Sequence, residues 1–67
     1  MTVTRYHLTT TQKIDSYAGN PVISGTILSD GNFRALVGFE NADTDQIEQW
    51  LEDDATIIHY IQISSTT

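Results

Sequence analysis

Seven carboxylates fall between positions 40 and 54 (Glu40, Asp43, Asp45, Glu48, Glu52, Asp53 and Asp54), and no lysine or arginine interrupts them. Side chains of this type can hold a hard cation, exchange protons with a substrate, or dock a basic partner. A cation site fits worst, because Asp43-Thr44-Asp45 with Glu48 lacks the loop spacing and turn glycine of a calcium loop. His7 and His59 stand in two separate alternating segments, where an imidazole is ordinarily structural or surface-bound. Ser64 and Ser65 follow no strand-turn-helix elbow of the kind that exposes a nucleophile. The chain holds no cysteine, no phosphate-binding loop and no dinucleotide fingerprint, so the expectation is no catalytic residue, no metal and no cofactor.

Charge narrows the partner class. Residues 1–34 sum to +1 and residues 35–67 to −7, giving the net charge of −6. Such a chain repels duplex nucleic acid. Three cations cannot line a groove for single strands either, even with Tyr6, Phe39 and Tyr60 available for stacking, so no direct nucleic-acid contact is expected. Asp43 and Asp45 suit the positive end of a helix dipole, whereas Glu52, Asp53 and Asp54 crowd the negative end, where carboxylates cost stability. Two readings compete: a solvated face that keeps the protein soluble, or a docking surface made by Asp45, Glu48, Glu52, Asp53 and Asp54. On the second reading the carboxylates imitate nucleic-acid phosphates and steer encounter with a basic site on a larger protein.

The elements that position these residues follow from periodicity and turn chemistry. Sixty-seven residues make a single domain, 1–67, which buries only roughly 60% of its unfolded surface and so favours surface patches over deep clefts. Ten threonines and many β-branched neighbours push the composition toward strand. Residues 2–10 read as a first strand, and residues 11–21, with Gly19, Asn20 and Pro21, as a connection. Residues 22–28 and 33–40 flank Asp30-Gly31, a strong hairpin signal. Ile47, Trp50 and Leu51 then mark a helical stripe over 44–53, N-capped by Asp43 with Gln46 three residues on, and 55–64 returns to strand. The expected fold is α+β: a mainly antiparallel four-stranded sheet in β-β-β-α-β order, with one helix on one face and Trp50 at the centre of the helix-sheet core.

A two-residue Asp30-Gly31 turn would pair Leu28 with Phe33 and Val22 with Phe39, so that partner numbers sum to 61. Ile23, Gly25, Ile27, Arg34, Leu36 and Gly38 would then face away from the helix. An apolar surface at Ile23, Ile27 and Leu36 results. Either the 11–21 loop covers it through Ile14 and Tyr17, or it is an interface for a partner, a homodimer or a larger assembly.

From the hairpin onward the chain resembles small phage proteins that inhibit host machinery, including inhibitors of bacterial RNA polymerase and some anti-CRISPR proteins. The resemblance rests on the acidic helix start Asn41-Ala-Asp-Thr-Asp45, Trp50 on that helix and the alternating last strand. It implies a small viral, nucleic-acid-mimicking inhibitor that acts stoichiometrically, and it transfers no functional residue. The first residues contain no apolar segment of signal-peptide length, and no stretch is long enough to span a membrane, so a cytoplasmic protein is expected.

Overall fold

The computed structural model describes residues 3–66, leaving aside the side chains of 64–66, so Thr2 of the expected first strand and the Ser64 and Ser65 hydroxyls lie outside the described residues. The elements run β1 (Val3–Thr10), β2 (Ser16–Tyr17), β3 (Asn20–Ile27), β4 (Phe33–Glu40), α1 (Thr44–Glu52) and β5 (Ile57–Thr66). They form one antiparallel sheet of order β2-β3-β4-β1-β5, with the helix against one face. The α+β class and the single helix are as expected. The fifth strand is the two-residue β2, inside what reads as a connection. Its partner segment is reached through Ala18 and Gly19 at φ 50° and 80°, a two-residue turn with both central residues left-handed.

Alternation sorts the two faces. On β1, Thr4, Tyr6, Leu8 and Thr10 are buried, and on β4, Phe33, Ala35, Val37 and Phe39 are buried. With Ile47 and Leu51 of the helix, the apolar members of these rows make the core. Their neighbours Val3, Arg5, His7 and Thr9 on β1, and Arg34, Leu36, Gly38 and Glu40 on β4, lie on the opposite, open face.

The β3-β4 register differs from the expected one. Ile27 pairs with Phe33, Thr26 with Arg34, Gly25 with Ala35 and Ser24 with Leu36, a pair sum of 60 rather than 61. A two-residue mirror-image turn needs positive φ at both Asp30 and Gly31, and only Gly31 has it, at 90°. The loop is therefore Ser29-Asp30-Gly31, closed by Leu28 N–H to Asn32 C=O (2.7 Å) and Gly31 N–H to Leu28 C=O (3.0 Å), with the Asp30 carboxylate accepting from Asn32 N–H. One residue of slip turns Gly25 and Ile27 to the helix side and Ser24 and Thr26 to the open side. A bulge between Val22 and Ser24 then restores the expected facing beyond it, returning Val22 to the core and leaving Ile23 on the open face.

The helix begins where its cap is placed: Asp43 accepts from Gln46 N–H at 2.8 Å. Ile47 and Leu51 are the buried stripe, but Trp50 is only half-buried, so the expectation that it centres the core is corrected. Phe39 takes that place. Tyr6 and Tyr17 meet it edge-on at 5.9 and 6.2 Å, and Trp50 closes over its rim at 6.3 Å.

Candidate functional site

The acidic residues beside α1 are drawn into the fold. Glu48 accepts from the Tyr6 hydroxyl at 2.9 Å, Glu52 from the Tyr60 hydroxyl at 2.9 Å, and Asp54 from the Tyr17 hydroxyl at 3.1 Å. Each tyrosine comes from a different strand, so the three contacts tie α1 and the turn after it to β1, β5 and β2. Asp54 also accepts from Thr56 through both its backbone N–H (2.9 Å) and its hydroxyl (2.7 Å), which closes the turn into β5. Those Thr56 bonds hold the Asp54 carboxyl below its ordinary range. Burial pushes Tyr17 up to about 12, with Asp54 adding to it, and burial followed by the bond to Glu48 does the same to Tyr6. Asp53 accepts from the Gln49 amide one turn back at 3.1 Å, and Asp45 stands exposed in the first turn.

Carboxylates at the unfavourable end of the helix dipole thus have a structural return in hydrogen bonds to tyrosine, threonine and glutamine. Of the five residues singled out from sequence, Glu48, Glu52 and Asp54 anchor tyrosines, while Asp45 and Asp53 point their charge outward. Among the described residues, no group of three or more histidine, aspartate or glutamate side chains gathers as a metal site.

The open face has a different character. Strand pairing sets His7 beside Leu36 on one side and Ile61 on the other, and Thr9 beside Arg34 and His59. Ile23 lies over Gly38, its Cδ1 3.3 Å from where a Cβ on that glycine would stand. Ile23 and Ile61 are 58% and 57% exposed, with half-buried Leu36 and Val3 between them in the strand order. Arg5, Arg34, His7 and His59 supply the polar positions, and Glu40 stands at the far end. A shallow hollow of about 240 Å³ opens among His7, Ser24, Gly25, Thr26 and Arg34. The sheet therefore separates charge, with the carboxylates of α1 on one side and two arginines on the other.

Coverage of this face by the 11–21 loop is overturned. Ile14 and Tyr17 pack against the core on the helix side, where Tyr17 also donates to Asp54. Ile23 and Leu36 fall on the open face as expected, whereas Ile27 is a correction. Its register partner is buried Phe33, so it sits on the helix side at the hairpin end and remains 70% exposed. Sequence reading missed Ile61, His7 and His59 as members of the open face. Alternation within each strand was visible, but which strand lies beside which was not.

The chain matches no known protein family, no curated protein and no solved structure. Among the described residues no helix is long and apolar enough to cross a membrane.

Proposed function

We propose that this chain is a protein-binding module that docks through the open face of its sheet, acting in the cytoplasm. The uncovered apolar patch supports the reading: Ile23 and Ile61 are more than half exposed, and the segment available to cover them packs on the opposite side. A folded domain gains nothing by leaving large aliphatic side chains in water on a sheet face, and such patches mark interaction surfaces. Arg34 and His7 beside the patch favour a partner with an apolar centre and an acidic rim.

A second reading uses the other side. Asp45, Glu48, Glu52, Asp53 and Asp54 would occupy a basic, nucleic-acid-binding site on a larger protein, as a stoichiometric inhibitor of the phage or anti-CRISPR type does. The helix supports it by carrying no basic residue in its last turn. Two variants separate the readings in a binding assay against a captured partner. Ile23→Lys with Arg34→Glu should abolish binding if the open face docks, and Asp45→Lys with Asp53→Lys should leave it unchanged. The reverse pattern selects the acidic helix. Both pairs are exposed and spare the tyrosine anchors, so circular dichroism should match the parent.

A further inference from the structure

The hollow on the open face gathers polar side chains that the fold itself does not use. Thr26 lies opposite Arg34, and Ser24 and His7 flank Leu36 one row further along, so the four groups come from three adjacent strands. Strand spacing sets Ser24 and His7 roughly 10 Å apart, with Arg34 and Thr26 closing the hairpin side of the space between them. Among the described residues, no hydrogen bond, ion pair or ring contact engages any of these four side chains. The hydroxyls of Thr10, Thr56 and the tyrosines, by contrast, are spent inside the molecule. Glu40 stands at the opposite end of β4, and the Asp30 carboxylate accepts from Asn32 N–H in the hairpin loop, so neither neutralises the Arg34 guanidinium.

We propose that this hollow seats a phosphoryl group carried on a serine or threonine of the protein that docks on the open face. The inference rests on the docking reading and names the chemistry of its partner. Arg34 supplies a guanidinium fork, Ser24 and Thr26 supply hydroxyls, and His7 supplies a ring N–H. A carboxylate holds its two oxygens in one plane and is filled by the guanidinium fork alone. The donors left over on the neighbouring strands call for a tetrahedral group, and a phosphate monoester brings three strong acceptor oxygens. Depth decides the carrier. Pockets that engulf small molecules run to about 300–1,000 Å³, whereas this hollow of about 240 Å³ is shallow and lies on the sheet face that carries Ile23 and Leu36. A group protruding from a protein can enter it while the aliphatic neighbours of the modified residue cover those side chains. One arginine in a chain carrying −6 cannot hold a dianion tightly, so most of the affinity comes from the flanking contacts.

Amide chemical shifts, titrated at constant ionic strength, read the site directly. Inorganic phosphate added to about 50 mM should move the amides of His7, Ser24, Gly25, Thr26 and Arg34 and leave those of α1 in place. Arg34→Gln should weaken that response by about tenfold or more, whereas Lys13→Gln, which removes the same charge from the exposed 11–21 segment, should respond like the parent. Both side chains are exposed, so circular dichroism should be unchanged in each. Thr26→Val keeps the shape of the strand residue, loses the hydroxyl, and should weaken the response several-fold.

The carrier is tested with the peptide Ala-Ile-Ser-Leu-Ala phosphorylated on its serine, which should bind at least about tenfold more tightly than inorganic phosphate. Ile23→Ser should cancel that gain and leave the inorganic phosphate response intact. The same peptide with glutamate in place of phosphoserine should bind no better than the unphosphorylated one. No response to phosphate, or a response that persists in Arg34→Gln, would overturn the site. A glutamate peptide that matches the phosphopeptide would overturn the phosphoryl class, and adenosine 5′-monophosphate binding more tightly than the phosphopeptide would overturn the protein carrier. The docking reading fails separately, because Ile23→Lys alone, assayed against the captured partner, tests it without altering a group that lines the hollow.

Discussion

Gly25→Ala tests the β3-β4 register by the sign of its effect. The Phe33 ring lies over Gly25, so a Cβ built there would stand 2.2 Å from Cζ and 2.8 Å from Cε2 of that ring. Phe33 is 6% exposed, and the ring cannot withdraw without opening the hairpin end of the core. Forcing a methyl into a packed site costs about 1–3 kcal/mol, and replacing a strand glycine by alanine returns roughly 0.5–1 kcal/mol of backbone entropy. The difference is a net loss of about 0–2.5 kcal/mol, and at its middle, roughly 1 kcal/mol, a domain this small loses roughly 4–8 °C in melting temperature. Thermal unfolding followed by circular dichroism reads this directly. In the register with pair sum 61, Gly25 would face open solvent and the same substitution would stabilise. A variant that melts above the parent would therefore refute the pairing of Gly25 with Ala35, and with it the placement of Ile27 on the helix side. The clash is also assignable by a cycle: in a Phe33→Leu background the Gly25→Ala penalty should vanish, because the atoms it strikes are gone.

Ala18 holds φ 50° in the turn between β2 and β3, where a side chain is strained, so Ala18→Gly should stabilise by about 0.5 kcal/mol in denaturant titrations. Trp50→Ala removes a half-buried ring from the rim of Phe39 and should cost about 2 kcal/mol, less than the roughly 3–5 kcal/mol typical of a fully buried aromatic. Alkaline pH should unfold the protein. Tyr6 and Tyr17 are each raised to about 12 against an ordinary 10, so the folded state keeps protons that the unfolded chain releases. That stability is complete below pH 10 and drains between 10 and 12. Tyr17→Phe should flatten part of the alkaline loss while costing about 1 kcal/mol at neutral pH through the bonds to Asp54 and the Trp50 carbonyl; equal pH profiles for variant and parent would show that Tyr17 is not the titrating group.

The helix was legible because its signals are local. Asp43 caps a backbone N–H three residues away, and Ile47 and Leu51 lie one turn apart on one stripe, so neighbouring residues determine both. Strand alternation was legible for the same reason, and Leu36 and Arg34 face outward as their positions in β4 require. What the sequence did not determine was each feature that depends on distant segments meeting. The sign of φ at Asp30 chose a three-residue loop over a two-residue one and moved half of β3 to the other face, while the bulge at Ile23 undid the shift just before it reached Val22. The tyrosine-carboxylate bonds join residues 42, 37 and 8 positions apart, and they give the crowded acidic end of the helix a structural use that its composition does not reveal. Sheet order decided the rest: β1 between β4 and β5 brings His7, Ile61 and His59 onto one face with Leu36, and leaves β5 as the exposed edge. Periodicity fixes which side chains share a face within one strand, but the free energy that selects neighbouring strands is summed over the whole packed core and is written in no single window of the chain.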